Sequence, residues 1–265
     1  MKRFMIVLMS VLLALLPAHV AFSKGTVGVT LSYDLKSYSV DYYALISDTH
    51  YKILANSKEN GIRLGIPFTF DLSSSFSISG NVNLSFFSGQ NNQTYIEFYP
   101  PNDIINPPPS DIEYLQLDVA VFGRYEISKS AYSNIGLQAG LMNSTAFFTL
   151  DTNSDIYNIF LFSLGAYASL WITNKIVASV DFRLPIGYIL NYGSFFDESD
   201  GFFKGFLCDL SFDVLYVISP SVDVGIVFNF NTATIDGAIH NYYKKHSNTS
   251  NLYAFSVGAK FKYYF

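Results

Sequence analysis

The chain alternates. From Ser256 to Phe265 the odd positions Val257, Ala259, Phe261, Tyr263 and Phe265 are apolar or aromatic, whereas Ser256, Gly258, Lys260 and Lys262 are polar or small; Tyr264 is the exception. Successive side chains of a strand point to opposite faces, so this segment reads as a strand with one greasy and one wet face. Nine earlier segments repeat the pattern, among them Val27, Val29, Leu31, Tyr33 and Leu35 in the first, Ile62 to Phe70 in the second and Phe160 to Leu170 in the sixth. The fifth, Ile135, Leu137, Ala139 and Leu141, is the weakest. No apolar-face position is charged. The opposite faces carry Asp34, Arg63, Asp71, Asp118, Arg124, Glu126, Asp181, Arg183, Asp209, Asp213, Asp223, Lys260 and Lys262.

Alternation alone does not say which face is inside. A soluble barrel turns its apolar face inward. A membrane barrel inverts that, because an Arg or Lys facing mid-bilayer costs about 2–4 kcal/mol. The two ends of the chain decide for the membrane. Lys2 and Arg3 precede an apolar stretch from Phe4 to Leu16 that Pro17 breaks, and Ala21-Phe22-Ser23 has small residues where a signal peptidase cuts. Residues 1–23 are therefore expected to be a signal peptide, cleaved between Ser23 and Lys24, leaving residues 24–265 as one domain. Beyond it no run of eighteen uncharged apolar residues occurs, which excludes helical spans. At the other end, Gly258, Phe261, Tyr263 and Phe265 carry a pattern that resembles bacterial outer-membrane β-barrels, whose last strand ends in Phe with aromatics two and four residues before it. The resemblance implies the outer-membrane bilayer as environment and the barrel-assembly machinery as a partner.

The connections alternate between short (Ser73 to Ser75, Ser128 to Ser133, Thr173 to Lys175, Ser219 to Ser221) and long (about Ser37 to Asn60, Gly89 to Asp111, Asn143 to Tyr157, Asn191 to Lys204, Thr232 to Asn251). Short turns belong to the periplasm and long loops to the outside, so an even strand count puts both termini in the periplasm. The fold expected is all-β: a closed antiparallel up-and-down transmembrane β-barrel of ten strands, with eight as the alternative. Eight would resemble the OmpA-, OmpX- or OmpW-type barrels; ten would resemble the omptin proteases and OpcA-type adhesins by architecture alone. Aromatics near the strand ends fit the two membrane interfaces, except that Trp171 falls on the wrong face for a girdle.

The net charge of -5 becomes -7 once Lys2 and Arg3 are gone, which argues against nucleic acid as a partner. Cys208 is the only cysteine, so no internal disulfide forms and no zinc spacing exists. Three functional readings follow. The lumen charges either form an ion-pair network that fills the barrel or line a narrow hydrated pore. Inward glycines, including Gly136 and Gly140, either leave room or relieve crowding in the curved sheet. The long loops are crowded with Tyr38, Tyr42, Tyr43, Tyr51, Tyr95 and Tyr242, and either bind a partner or continue the strands above the bilayer. The third reading is an omptin-like rim protease using His50 beside Asp48, with His240 and His246 after Asp236; no second carboxylate pair has recognisable spacing. The expectation is a non-enzymatic outer-membrane barrel with a charge-filled lumen and surface loops that bind an extracellular ligand or host protein. A porin-like solute channel is the alternative. No catalytic residue, metal or cofactor is assigned.

Overall fold

The computed structural model describes residues 24–46, 49–97, 104–150, 153–192, 201–202, 204–238 and 247–265. Residues 1–23, expected to be a signal peptide, lie outside them. Ten long strands carry the fold: β1 Gly25–Ile46, β2 Thr49–Asp71, β3 Phe76–Glu97, β4 Ser110–Lys129, β5 Ser133–Leu150, β6 Asn153–Thr173, β7 Ile176–Tyr192, β8 Lys204–Ser219, β9 Val222–Ala238 and β10 Ser247–Tyr264. Two-residue strands at Ile104–Ile105 and Gly201–Phe202 add to β3 and β7. Each long strand pairs antiparallel with the next in sequence, and β10 pairs with β1. The barrel is closed, up-and-down and ten-stranded, and no described residue is helical.

The cross-strand register fixes the width. Stepping across paired residues from Val214 through Ile226, Ala259, Leu31, Leu64, Leu84, Leu117, Thr145 and Asn158 reaches Leu190, twelve residues above Ala178, which is Val214's own partner on β7. A stagger of that size over ten strands tilts them by about 40° and puts the backbone about 10 Å from the axis. Such an interior is filled by side chains or holds one small ligand.

Face polarity follows the alternation on most strands, although Ile66 and Phe70, on the outward parity of β2, are buried. Val29, Leu31, Tyr33 and Leu35 are exposed on β1, Ile135, Leu137 and Leu141 on β5, Phe160, Phe162 and Leu164 on β6, and Phe255, Val257, Phe261 and Tyr263 on β10. Between them Asp34, Asn83, Gln138 and Asp223 are buried. The molecule is greasy outside and charged inside, the inverse of a soluble barrel. Outward apolar positions run for nine to eleven residues on most strands, from Val27 to Leu35, Ile62 to Phe70 and Phe76 to Phe86, the length a tilted strand needs to cross hydrocarbon.

At one end the connections are tight turns, each held by a hydroxyl. Ser73 Oγ accepts from the amides of Ser75 and Phe76, Ser130 Oγ from Tyr132 and Ser133, Thr173 Oγ1 from Lys175, and Ser219 Oγ from Ser221. These side chains replace missing ladder partners, which is why Ser and Thr occupy the turns. At the other end the structure corrects the sequence reading. Most of what reads as loop is strand: β1 continues eleven residues past Leu35 to Ile46, and β2 starts at Thr49. Past the apolar band the ladder persists while the apolar alternation stops, and periodicity loses sight of it. Trp171 pairs with Val177 on the lumen parity at the turn end, and both it and Ile172 are exposed there.

Leu31 is 56% exposed in mid-band. Leu31→Arg is expected to lower stability in lipid vesicles by about 2–4 kcal/mol, whereas Ser37→Arg, outward but above the band, leaves it unchanged. Urea unfolding of the refolded protein checks this.

Candidate functional site: the charged lumen

Three lumen aromatics lie over glycines of the neighbouring strand. Gly61 faces Phe87, Gly140 faces Phe122 and Gly136 faces Tyr167, each directly across the ladder. A Cβ on these glycines would come within 2.5, 2.6 and 2.5 Å of the respective rings. The space read as relief for a curved sheet is thus occupied by rings. A cation covers each ring: Lys36 Nζ stands 3.4 Å from the Phe87 centroid, Arg183 Cζ 4.5 Å from that of Phe122, and Arg124 Cζ 4.7 Å from that of Tyr167. Glycine, ring and cation form a three-layer stack that recurs three times. Cation–π attraction grows when both groups leave water, as they do here.

Carboxylates complete the lining. Nearest the tight turns, Tyr264 Oη donates to Asp223 at 2.5 Å, and Lys262 Nζ lies 4.7 Å from the Tyr264 ring. Lys260 pairs with Asp213. Arg124 binds Asp181 at 2.7 Å and Gln138 Oε1 at 3.1 Å, and Gln138 Nε2 returns a bond to Asp181 at 2.8 Å. Arg183 bridges Asp181 (3.9 Å) and Asp209 (3.1 Å). Arg63 binds Asp34 at 2.7 Å. Toward the long-strand end, Gln116 Nε2 and Ser144 Oγ donate to Asp118 at 2.7 and 2.6 Å, Lys36 reaches Gln116 and Tyr114, and Tyr114 donates to Glu59.

Not every charge named from the sequence joins this column. Asp71 is exposed at the end of β2, where its amide bonds the Lys24 carbonyl. Glu126 sits near the turns with exposed Lys129 and Asn134. Asp118 and Lys262 meet no opposite charge within ion-pair distance among the described residues. Sequence reasoning placed Asp34 and Gln138 on the inward face without partners and assigned no role to Lys36, Glu59, Phe87, Tyr114, Phe122 or Tyr167. Glu59 and Lys36 fall next to or inside an apparent loop, and nothing local marks a lumen ring. Of the residues matching the C-terminal pattern, Phe261 and Tyr263 face outward, Gly258 stands across from Ser32, and the Phe265 ring lies 6.2 Å from that of Phe70. The side chain of His50, and all of Asp48, His240 and His246, lie outside the described residues, as does the Asp197 to Asp200 patch. No group of three His, Cys, Asp or Glu that could hold a metal occurs among the described residues.

Access decides what the lining can do. Of the eight charges in the Arg63, Arg124, Arg183 and Lys260 pairs, carboxylates included, the most exposed side chain is Asp181 at 21%. Buried charges must be paired, and here pairing, ring faces and amides share the task. These pairs tie strands together across the bore, Arg124 of β4 to Asp181 of β7 and Lys260 of β10 to Asp213 of β8.

No family model matches the chain, and no curated protein matches it. Among solved structures, it is similar to the translocator domain of the autotransporter NalP from Neisseria meningitidis (10% identity, 97% of this chain and 96% of that one, TM-score 0.43). It is also similar to the transport unit of the autotransporter AIDA-I from Escherichia coli (10%, 90% and 90%, 0.42) and to the β domain of the Bordetella autotransporter BrkA (12%, 91% and 99%, 0.39).

Removing one member of a buried pair strands the other. Asp34→Asn is expected to destabilise the refolded barrel by about 3–5 kcal/mol, while Asp34→Leu combined with Arg63→Met returns most of that loss. Urea midpoints of the three proteins give the comparison.

Proposed function

We propose that this protein is a non-enzymatic barrel of the bacterial outer membrane that recognises an extracellular ligand or host protein with its projecting strands. Both termini are then periplasmic, with the hydroxyl-capped turns. The observation that carries the reading is the asymmetry of the wall. At one end the chain turns back within two to four residues, whereas at the other β1 and β2 run on together from Ser37 and Lys58 to Ile46 and Thr49. Eleven residues beyond Leu35 amount to roughly 35 Å of strand along its own axis. Neighbouring strands rise with it, β10 to Thr249 opposite Asp41 and β3 to Glu97 opposite Tyr51. Nothing in a membrane anchor needs that length. A rigid platform carrying exposed hydrogen-bonding and aromatic residues is a common basis for recognition. The braced lumen supports the same reading, because it holds the platform still.

The test is to shorten the projection and keep the barrel. Replacing residues 40–55 by Asn-Gly joins β1 to β2 in a tight hairpin closed by the Ser39–Asn56 pair. Bacteria displaying the full chain are expected to adhere to immobilised fibronectin, collagen or laminin, and those displaying the shortened chain to lose that adhesion at equal surface level and unchanged heat-modifiability. Equal adhesion by both, or by neither, would overturn the reading.

A further inference from the structure

The uppermost stack differs from the other two. Arg183 and Arg124 each lie on a ring and also bind a carboxylate. Lys36 does not: among the described residues no carboxylate lies within ion-pair distance of its ammonium. Nζ instead donates to Gln116 Oε1 at 2.7 Å and Tyr114 Oη at 3.2 Å, with the Phe87 ring at 3.4 Å and the Tyr114 ring at 5.3 Å. The two rings stack on each other, centroids 5.1 Å apart. Each neutral acceptor is backed by a carboxylate one bond further out: Tyr114 Oη donates to Glu59 at 2.5 Å, and Gln116 Nε2 to Asp118 at 2.7 Å. Ser57 and Ser144 in turn donate to Glu59 and Asp118. Phe87 is fully buried and seated over Gly61.

Two ring faces, two oriented oxygen acceptors and negative charge held one bond behind them make a receptor for an ammonium group. A salt bridge would put the carboxylate on the nitrogen; this arrangement leaves the nitrogen's neighbours neutral and polarised, and shapes the space by rings. It stands where the outward apolar band gives way to the projecting strands, level with Leu35. We propose that Phe87, Tyr114, Gln116 and Glu59 form a binding site for a primary alkylammonium, internally inhibited because Lys36 is its tethered occupant. Any free amine competes with a ligand held permanently in place. Remove the Lys36 side chain beyond Cβ, and the part lost is a propylammonium ion in outline.

The experiment uses the full chain refolded in detergent micelles, with propylammonium chloride as the probe and sodium chloride and 1-propanol as controls for ionic strength and apolar contact. Lys36→Ala is expected to melt below the native protein, and propylammonium to raise its Tm by a few degrees in a saturable manner. Neither control does so, the native protein does not respond, and adding Phe87→Ala to Lys36→Ala abolishes the response. If Lys36→Ala does not refold alone, propylammonium in the refolding buffer restores the folded, heat-modifiable band, and Lys36→Met, which keeps the apolar stem and fills the cage, refolds but does not respond. A Lys36→Ala protein that neither gains stability nor refolding yield from propylammonium beyond the controls would overturn the proposal. So would an equal response in the Phe87→Ala double variant.

Discussion

Everything in this molecule follows from having hydrocarbon on the outside. A strand has two faces, and once one must be greasy, every charge the chain carries at membrane depth is forced onto the other. Six cations, four of them paired with carboxylates, therefore meet in a tube about 10 Å in radius to the backbone, where an uncompensated buried charge is costly. The interior answers with more than ion pairs. Stacks of glycine, ring and cation let a flat apolar group carry a charge, and they need only one residue on each of three strands. The ring fills the volume that a Cβ would have blocked, and its face attracts the cation. Packing and charge compensation are thereby solved by the same side chain.

The register makes the stacks work. With twelve residues of stagger over ten strands, residues far apart in sequence come to the same height: Lys36 with Gln116, Arg124 with Asp181, Lys260 with Asp213. The bracing runs across the bore as well as around the wall. The strands lengthen only on one side, since the opposite turns are closed by the hydroxyls of Ser73, Ser130, Thr173 and Ser219 within a few residues.

Much of this is legible in the sequence, and the limits are physical. Each outward face was readable because lipid enforces alternation; even the weak fifth strand, with Ile135, Leu137 and Leu141 outward, obeys it. Strand length was not readable, because beyond Leu35 the apolar alternation stops and the residues from Ser37 to Asn60 look like loop. The charges at membrane depth were visible on their strands, but their partners were not: pairing depends on register, which single-strand periodicity does not contain. For the same reason Phe87 and Phe122 gave no signal. A lumen aromatic becomes intelligible only when the glycine across the ladder is known, and Gly61 and Phe87 are far apart along the chain. Lys36 was hidden twice, by an apparent loop and by an unseen ring.

The central claim is that the paired charges fill the bore and do not line an aqueous path. Single-channel recording of the refolded chain in a planar bilayer tests it most directly, with the gel shift on boiling to establish that the barrel has formed. The account expects a folded, heat-modifiable protein that inserts and stays electrically silent. Discrete, reproducible openings, with an ion selectivity that changes when Lys260 is neutralised, would contradict it and make the lumen a channel.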